Sequence, residues 1–117
     1  MAKNIYWLYS ILVDERKAGI SRDELMRGLE RDGIETRHFF YPLHQQPPYR
    51  SSASYPVTER LAARGLSLPS SNGITLEEIT RVCRNIKEQI EHYRFVNCVQ
   101  STVKARVKKT APAKAMR

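Results

Sequence analysis

The chain has very few cysteines: Cys83 and Cys98 are the only two among 117 residues. They form no Cys-x-x-Cys pair, and no histidine or carboxylate stands at the spacing of a metal site with them. The sequence therefore gives no reason to expect a bound metal ion. We expect one buried thiol and one incidental thiol.

Long apolar runs are also missing. No stretch of eighteen or more apolar residues occurs, and a membrane-spanning helix needs about that length. The opening residues 1–4 lead into an aromatic segment rather than into the long aliphatic core of a signal peptide. The sequence therefore predicts a protein without a membrane partner and with a cytoplasmic location.

Acidic residues are absent from the last part of the chain. Residues 93–117 contain seven basic side chains and no acidic one, whereas residues 1–92 contain 13 basic and 12 acidic ones. Seven of the eight net positive charges therefore lie in residues 93–117. A basic tail attracts nucleic acid without sequence specificity, or it is merely a solvated terminus, and both interpretations stay open.

Apolar periodicity separates the chain into two parts. It is regular up to about Ile90, and from about Ser101 the chain is rich in Lys, Arg, Ala, Thr and Pro, which build no packed core. We therefore predict one domain over residues 1–92. Residues 93–117 are predicted to be a helix extension followed by a basic, disordered tail.

The domain begins with a strand and a helix. Residues 5–13 are almost all apolar, aromatic or β-branched, which predicts a strand covered on both faces. Ser21 and Glu24 form a capping box, and Gly33 supplies a left-handed stop, so a helix is predicted over residues 22–32.

The second half of the domain contains two more helices around a strand. Pro56 fits the first turn of a helix that continues to Arg64, and residues 66–69 alternate as a short strand. Thr75 and Glu78 form a second capping box at the start of the longest helix. Its predicted apolar stripe consists of Leu76, Ile79, Val82, Cys83, Ile86 and Ile90. This order of elements predicts an α+β fold, a small two-layer sandwich of a short sheet packed on two or three helices.

The segment between these halves, GIETRHFFYPLHQQPPY at residues 33–49, carries the most chemistry. Its prolines disfavour both helix and central strand, and loops of this composition often carry function. Arg37 and His38 could hold an anion, and the aromatic residues 39–41 could stack on a ring. Alternatively, the aromatic residues are core and Arg37 makes a surface ion pair. The pattern alone leaves both readings open.

Catalytic motifs are not found. The five glycines are scattered rather than gathered into a phosphate-binding loop, and no serine or cysteine stands in a recognisable nucleophile motif. On the residues alone, the chain is a binding loop on a scaffold, and we assign no catalytic residue.

Residues 3–92 resemble a known family over their whole length. The segments GIETRHFFYPLHQQPPY at 33–49 and GLSLPSSNGIT at 65–75 are similar, in order and spacing, to the C-terminal small domain of DegT/StrS-type aminotransferases. Within that family, the resemblance is greatest to the perosamine-synthase-like group. It implies the small-domain fold of fold-type I aminotransferases, which depend on pyridoxal 5'-phosphate and aminate nucleotide-linked keto-sugars.

The resemblance also implies roles for particular residues. The loop that corresponds to residues 37–46 faces the active-site cleft in this family. It follows that Arg37, His38 and Tyr41 contact a nucleotide-sugar substrate, while His44 shapes the loop. The expected partner is a large domain that binds the cofactor, either in the same protein or in a second aminotransferase chain.

The lysines depart from the family pattern. Lys3, Lys17, Lys87 and the four tail lysines lie outside the family's Schiff-base motif. Such an enzyme needs a lysine amine, so we expect these residues to be an incomplete piece, with no cofactor and no transaminase activity when alone. Two alternatives remain: a basic nucleic-acid-binding module, and a non-catalytic remnant that self-associates through the strand at residues 6–13.

Overall fold

The computed structural model describes residues 2–3, 5 and 7–110, without the side chains of Val103 and residues 105–110. Three strands and four α-helices follow one another in the described chain. In order they are β1 (Tyr9–Leu12), α1 (Glu15–Ala18), α2 (Arg22–Arg31), β2 (Arg37–His38), α3 (Pro56–Arg64), β3 (Gly65–Leu68) and α4 (Leu76–Thr110). Two short 3₁₀ helices, Leu43–Gln45 and Pro47–Tyr49, lie between β2 and α3.

The sheet has the order β1-β3-β2, and both pairings are antiparallel. Tyr9 lies opposite Leu68, and Arg37 lies opposite Ser67. Strand β3, the last of the three in the sequence, is therefore the central strand of the sheet. This order places the segment after β2 at one edge of the sheet.

The core lies between the sheet and helices α2 and α4. Leu25 and Leu29 of α2, Leu66 of β3 and Val82 of α4 are buried together. Burial of side chains of this size supplies about 1.5–3 kcal/mol each. A short antiparallel sheet that carries helices in this way agrees with the predicted α+β class.

Local sequence signals correctly predicted the starts of α2 and α4 and the turn that follows α2. The Ser21 hydroxyl accepts from the Glu24 amide at 3.3 Å, and a Glu24 carboxylate oxygen accepts from the Ser21 amide at 2.9 Å. The same exchange joins Thr75 and Glu78 at 3.2 and 2.8 Å. Gly33 has a φ of 71° and ends the turn after α2. Both predicted capping boxes are confirmed.

The first strand differs from the prediction. Strand β1 has only four residues, and the apolar side chains of Ile5, Trp7, Leu8, Tyr9 and Leu12 are exposed. Within the described residues, β1 pairs with β3 alone and meets helices on one face. The prediction of a nine-residue strand covered on both faces is therefore wrong for this chain by itself.

The apolar stripe of α4 is narrower than its sequence pattern. Val82 is buried, and Ile86 and Ile90 pack against the core, but Leu76 is 78% exposed. Cys83 and Cys98 are both exposed free thiols, so the prediction of one buried cysteine is wrong. Residue 83 follows Val82 by about 100° around the helix, and only the Val82 side meets α2 and the sheet.

Helix α4 also continues further than expected. It runs to Thr110, whereas the sequence predicted a disordered tail from about Ser101. Lys, Arg and Ala are strong helix formers, and basic residues favour the C-terminal end of a helix dipole. Residues 111–117 of the predicted tail lie outside the described residues. In the part of the chain that is described, no helix combines the length and the hydropathy needed to cross a membrane.

Candidate functional site

The candidate site is built on residues 37–49, called here the aromatic loop. It starts at β2, and the Phe39 amide donates to the Gly65 carbonyl at 3.3 Å, which ties the start of the loop to the central strand. Prolines disfavour regular helix and strand beyond it, and the chain folds into the two 3₁₀ helices. The Gln46 side-chain amide donates to the Tyr41 carbonyl at 3.2 Å and fastens the loop on itself.

The aromatic side chains of the loop lie mostly outside the core. Phe40 is 63% exposed, Tyr41 is 69% exposed, and Phe39 is half-buried. The Phe40 ring lies 6.2 Å from the ring of Trp7, which is itself exposed. Of the two readings left open by the sequence, the one that makes these rings core residues is wrong for Phe40 and Tyr41.

Arg37 is exposed on a different side of the sheet from its neighbour His38. Successive strand residues point to opposite faces, so the two side chains diverge. The Arg37 guanidinium lies 3.2 Å from a carboxylate oxygen of Glu35, which is an exposed ion pair of little energetic weight. Arg37 lines an open cavity of about 660 Å³ together with Trp7 and Asn72.

His38 and Tyr41 are brought together. Their ring centroids are 6.4 Å apart, and both side chains line an open cavity of about 560 Å³ that also includes Gln46. Both rings are exposed and each carries a hydrogen-bonding group. Of the four predicted site residues, these two form the pair that could contact one small polar ligand.

The His44 side chain is largely buried and is hydrogen-bonded to helix α3. Its side chain is 11% exposed, and Nε2 donates to Oε1 of Glu59 at 2.9 Å. The Tyr55 amide donates to the same oxygen at 3.2 Å, and the Tyr55 ring lies 4.9 Å from the imidazole. These donors hold the pKa of Glu59 below its usual value of 4.5, the Tyr55 amide first and the His44 side chain second.

Glu59 and Tyr55 were not singled out from the sequence. Glu59 stands in the first turn of α3, fifteen residues after His44, and no local spacing rule joins the two positions. The only sequence signal was a carboxylate close to a helix N-terminus, which is common and is usually explained by the helix dipole.

The described residues do not fit a Schiff-base site for pyridoxal phosphate. Lys3, Lys17, Lys87 and Lys104 are exposed, and none of them lines the cavity at Arg37 or the cavity at His38 and Tyr41. A lysine that forms such a bond needs an enclosed position close to the substrate. We therefore derive no step through this cofactor from these residues.

The structure defines a small α+β unit that presents a proline-bounded, largely exposed aromatic loop at the edge of its sheet. The sequence profile of the DegT/DnrJ/EryC1/StrS aminotransferase family matches residues 1–87. This chain belongs to that family, as its loop and the segment at residues 65–75 indicated.

Curated relatives refine this placement. The chain is 36% identical over 97 residues to GDP-perosamine synthase of Vibrio cholerae, which covers 80% of this chain and 24% of the relative. It is 37% identical over 84 residues to GDP-perosamine synthase of Escherichia coli O157:H7, with 71% and 22% covered. The chain thus spans about a quarter of the length of the curated relatives it matches.

Solved structures agree with the fold. DesI, solved in the presence of its TDP-sugar product, superposes with a TM-score of 0.68 at 36% identity, over 80% of this chain and 25% of DesI. The aminotransferase TlmJ from Streptoalloteichus hindustanus gives a TM-score of 0.65 at 25% identity, over 74% of this chain and 23% of TlmJ. Similarity to aminotransferases is therefore found in both sequence and structure.

Proposed function

We propose that residues 3–92 are the small domain of a pyridoxal-phosphate-dependent nucleotide-sugar aminotransferase, with the fold-type I two-layer arrangement, and that the aromatic loop contacts its substrate. The observation that carries this proposal is the 36% identity to a GDP-perosamine synthase over 97 residues, a span that includes most of the domain. The exposure of His38 and Tyr41 at one cavity supports the assignment of the loop as the binding element.

The loop residues have chemistry suited to a nucleotide-sugar. The Tyr41 hydroxyl and the His38 imidazole can exchange hydrogen bonds with sugar hydroxyls or a diphosphate. The Arg37 guanidinium can pair with a phosphate through two parallel N–H···O bonds, the bidentate geometry for which arginine is suited. Its present partner, the exposed Glu35 carboxylate, holds it only weakly. His44 makes no substrate contact in this proposal and shapes the loop.

The cofactor and its lysine come from elsewhere in the assembled enzyme. The large domain, in the same protein or in a second chain, supplies both, while these residues close one side of the substrate site. We accordingly expect these 117 residues by themselves to have no transaminase activity. Incubation with pyridoxal phosphate followed by borohydride should leave no lysine adduct detectable by mass spectrometry. A reduced adduct at any one stoichiometric site would contradict this part of the proposal.

A chimera tests the function directly. Residues 3–92 would replace the matching quarter of the V. cholerae GDP-perosamine synthase, and transaminase turnover would be measured. We expect a working enzyme in which His38→Ala and Tyr41→Phe each raise KM for the keto-sugar. Arg60→Ala, in an exposed side chain of α3, is the control and should leave KM unchanged. A folded chimera with normal KM in both loop variants would overturn the loop assignment.

A second candidate function rests on charge alone. Residues 93–117 carry seven basic side chains and no acidic one, so weak, nonspecific binding of nucleic acid by this segment is a separate proposal. Retention of a DNA duplex should fall steeply between 50 and 200 mM salt and disappear when residues 98–117 are deleted. Unchanged retention after that deletion would dismiss this function without affecting the first one.

A further inference from the structure

We propose that Glu59 is a positioning residue for the aromatic loop: by holding His44 it sets the placement of the rings that face the ligand. The inference rests on the proposed function for its purpose, but its structural part is independent of any ligand. Glu59 itself lies on helix α3, outside the loop and outside the family motif quoted above.

One carboxylate oxygen joins three parts of the chain. Oε1 of Glu59 accepts from His44 Nε2 at 2.9 Å and from the Tyr55 amide at 3.2 Å. The His44 carbonyl in turn accepts from the Ser51 amide at 3.1 Å, which joins the loop to the segment after it. The Tyr55 ring packs against the imidazole, with the two ring centroids 4.9 Å apart. The loop, the segment after it and α3 therefore meet at Glu59.

Beyond Phe39, this contact has no equivalent in the loop. Within the described residues, the bond from His44 to Glu59 is the only hydrogen bond from residues 40–54 to a helix or strand outside that segment. The other hydrogen bonds of the segment are internal, such as Gln46 to the Tyr41 carbonyl. Loss of Glu59 would leave the largely buried imidazole without its acceptor, which costs more than a typical hydrogen bond contributes.

Loss of this contact should lower the affinity for ligand more than it lowers the stability of the fold. Glu59 lies outside the buried core cluster, and the loop can shift while the sheet and helices stay packed. A loop that occupies its binding position only part of the time lowers the apparent affinity by that fraction. Glu59 thus acts through His44 on Phe40 and Tyr41, without touching ligand.

The chain contains its own reporter for the loop. Trp7 is the only tryptophan, and its ring lies 6.2 Å from Phe40. A displacement of the loop therefore changes the fluorescence of Trp7. In Glu59→Ala we expect a shifted emission maximum together with changed NMR signals of the His38 and Tyr41 side chains. Glu59→Gln keeps one acceptor oxygen and should recover most of the wild-type spectrum.

Two further variants make the test specific. His44→Phe keeps a ring against Tyr55 but removes the donor to Glu59, so it should change the Trp7 emission in the same way as Glu59→Ala. It therefore tests the same hydrogen bond independently if Glu59→Ala folds poorly. Glu77→Ala removes an acidic residue from the first turn of α4 and should leave Trp7 unchanged. If Glu59→Ala and His44→Phe, with circular dichroism like wild type, alter Trp7 and Tyr41 no more than Glu77→Ala does, the inference is overturned.

Titration with GDP-perosamine separates this inference from the proposed function. We expect the full chain to respond at His38 and Tyr41, with an affinity about tenfold weaker in Glu59→Ala and restored in Glu59→Gln. If the wild-type chain and the chimera give no response while the spectra still shift, the proposed function fails and the positioning of the loop by Glu59 stands. If ligand binds equally to wild type and Glu59→Ala, the positioning role fails and the proposed function stands.

Discussion

Gly65 of β3 lies so close to Phe39 that no side chain fits between them. A Cβ built on Gly65 would stand 2.5 Å from the Phe39 Cβ and 2.8 Å from the Leu61 carbonyl oxygen. The Phe39 amide also donates to the Gly65 carbonyl at 3.3 Å. The start of the aromatic loop and the central strand therefore pack as one unit.

A methyl group at position 65 should disturb that unit. Gly65→Ala must displace Phe39 and the end of α3, and overpacking of this kind costs about 1–3 kcal/mol. Urea unfolding followed by circular dichroism measures the change. Gly73→Ala is the matched control, because a Cβ at Gly73 would meet nothing within 4 Å. Equal stability of the two variants would contradict the close packing at Gly65.

The core should respond to truncation at α2. Leu29 is 0% exposed, and removal of a fully buried leucine side chain costs about 2–5 kcal/mol because a cavity remains. Leu76→Ala provides the comparison, since Leu76 is 78% exposed and its loss should change the free energy of unfolding by less than about 0.5 kcal/mol. Similar urea midpoints for both variants would show that the core does not centre on α2.

The capping box of α2 should contribute measurably to stability. Ser21→Ala removes the acceptor for the Glu24 amide, and loss of such a cap costs about 0.5–2 kcal/mol. Ser21→Gly should cost only a few tenths of a kcal/mol, because glycine is also a good residue at this position. Thermal unfolding of the three proteins gives the order. A Ser21→Ala variant as stable as wild type would contradict a capping role.

Acid should destabilise the fold. The Ser21 hydroxyl and amide hold the pKa of Glu24 below its usual 4.5, and the Thr75 amide and hydroxyl do the same for Glu78. In both cases the folded pKa lies below the unfolded one, so the unfolded state binds more protons in acid. This stabilisation is complete above about pH 4.5 and is lost as pH falls through the folded pKa values.

We therefore expect the free energy of unfolding to be nearly constant from neutral pH to about 5 and to decline below it. Urea titrations at several pH values provide the measurement. The double variant Glu24→Gln and Glu78→Gln should be less stable at neutral pH and should show a shallower decline in acid. A stability that rises toward pH 3 would have the wrong sign for depressed carboxyl pKa values.

The boundary predicted at residue 92 can be tested by truncation. Beyond it, the Arg94 guanidinium donates to the Lys17 carbonyl at 2.6 Å, and the Asn97 amide donates to the Gly19 carbonyl at 2.8 Å. A chain that ends at residue 97 should be as stable as the full chain. A chain that ends at residue 92 should lose about 1–3 kcal/mol, because both carbonyls lose their donors. Equal stability of the two truncated chains would place the boundary at residue 92 after all.

Local rules worked where the deciding atoms are close in the sequence. Ser21 and Glu24 are three residues apart and exchange both of their bonds within one helical turn, so their pattern predicts their contact. The prediction that residues 5–13 are covered on both faces was wrong. An apolar strand sequence indicates that its side chains favour burial, but it does not specify which elements bury them. Which neighbours are present depends on sheet order, and β1 pairs with β3 alone in the described chain.

The amino-acid sequence alone determined the starts of α2, α3 and α4, the left-handed turn at Gly33, the family and the location of the aromatic loop. Each of these depends on residues that are neighbours in the chain or on a motif read in order. Only the tertiary structure decided that Arg37 and His38 face different cavities and that Glu59 holds His44. Such contacts follow from how β2, β3 and α3 pack together. No spacing rule along the chain predicts that His44 and Glu59, fifteen residues apart and joined by a proline-bearing segment, come into contact.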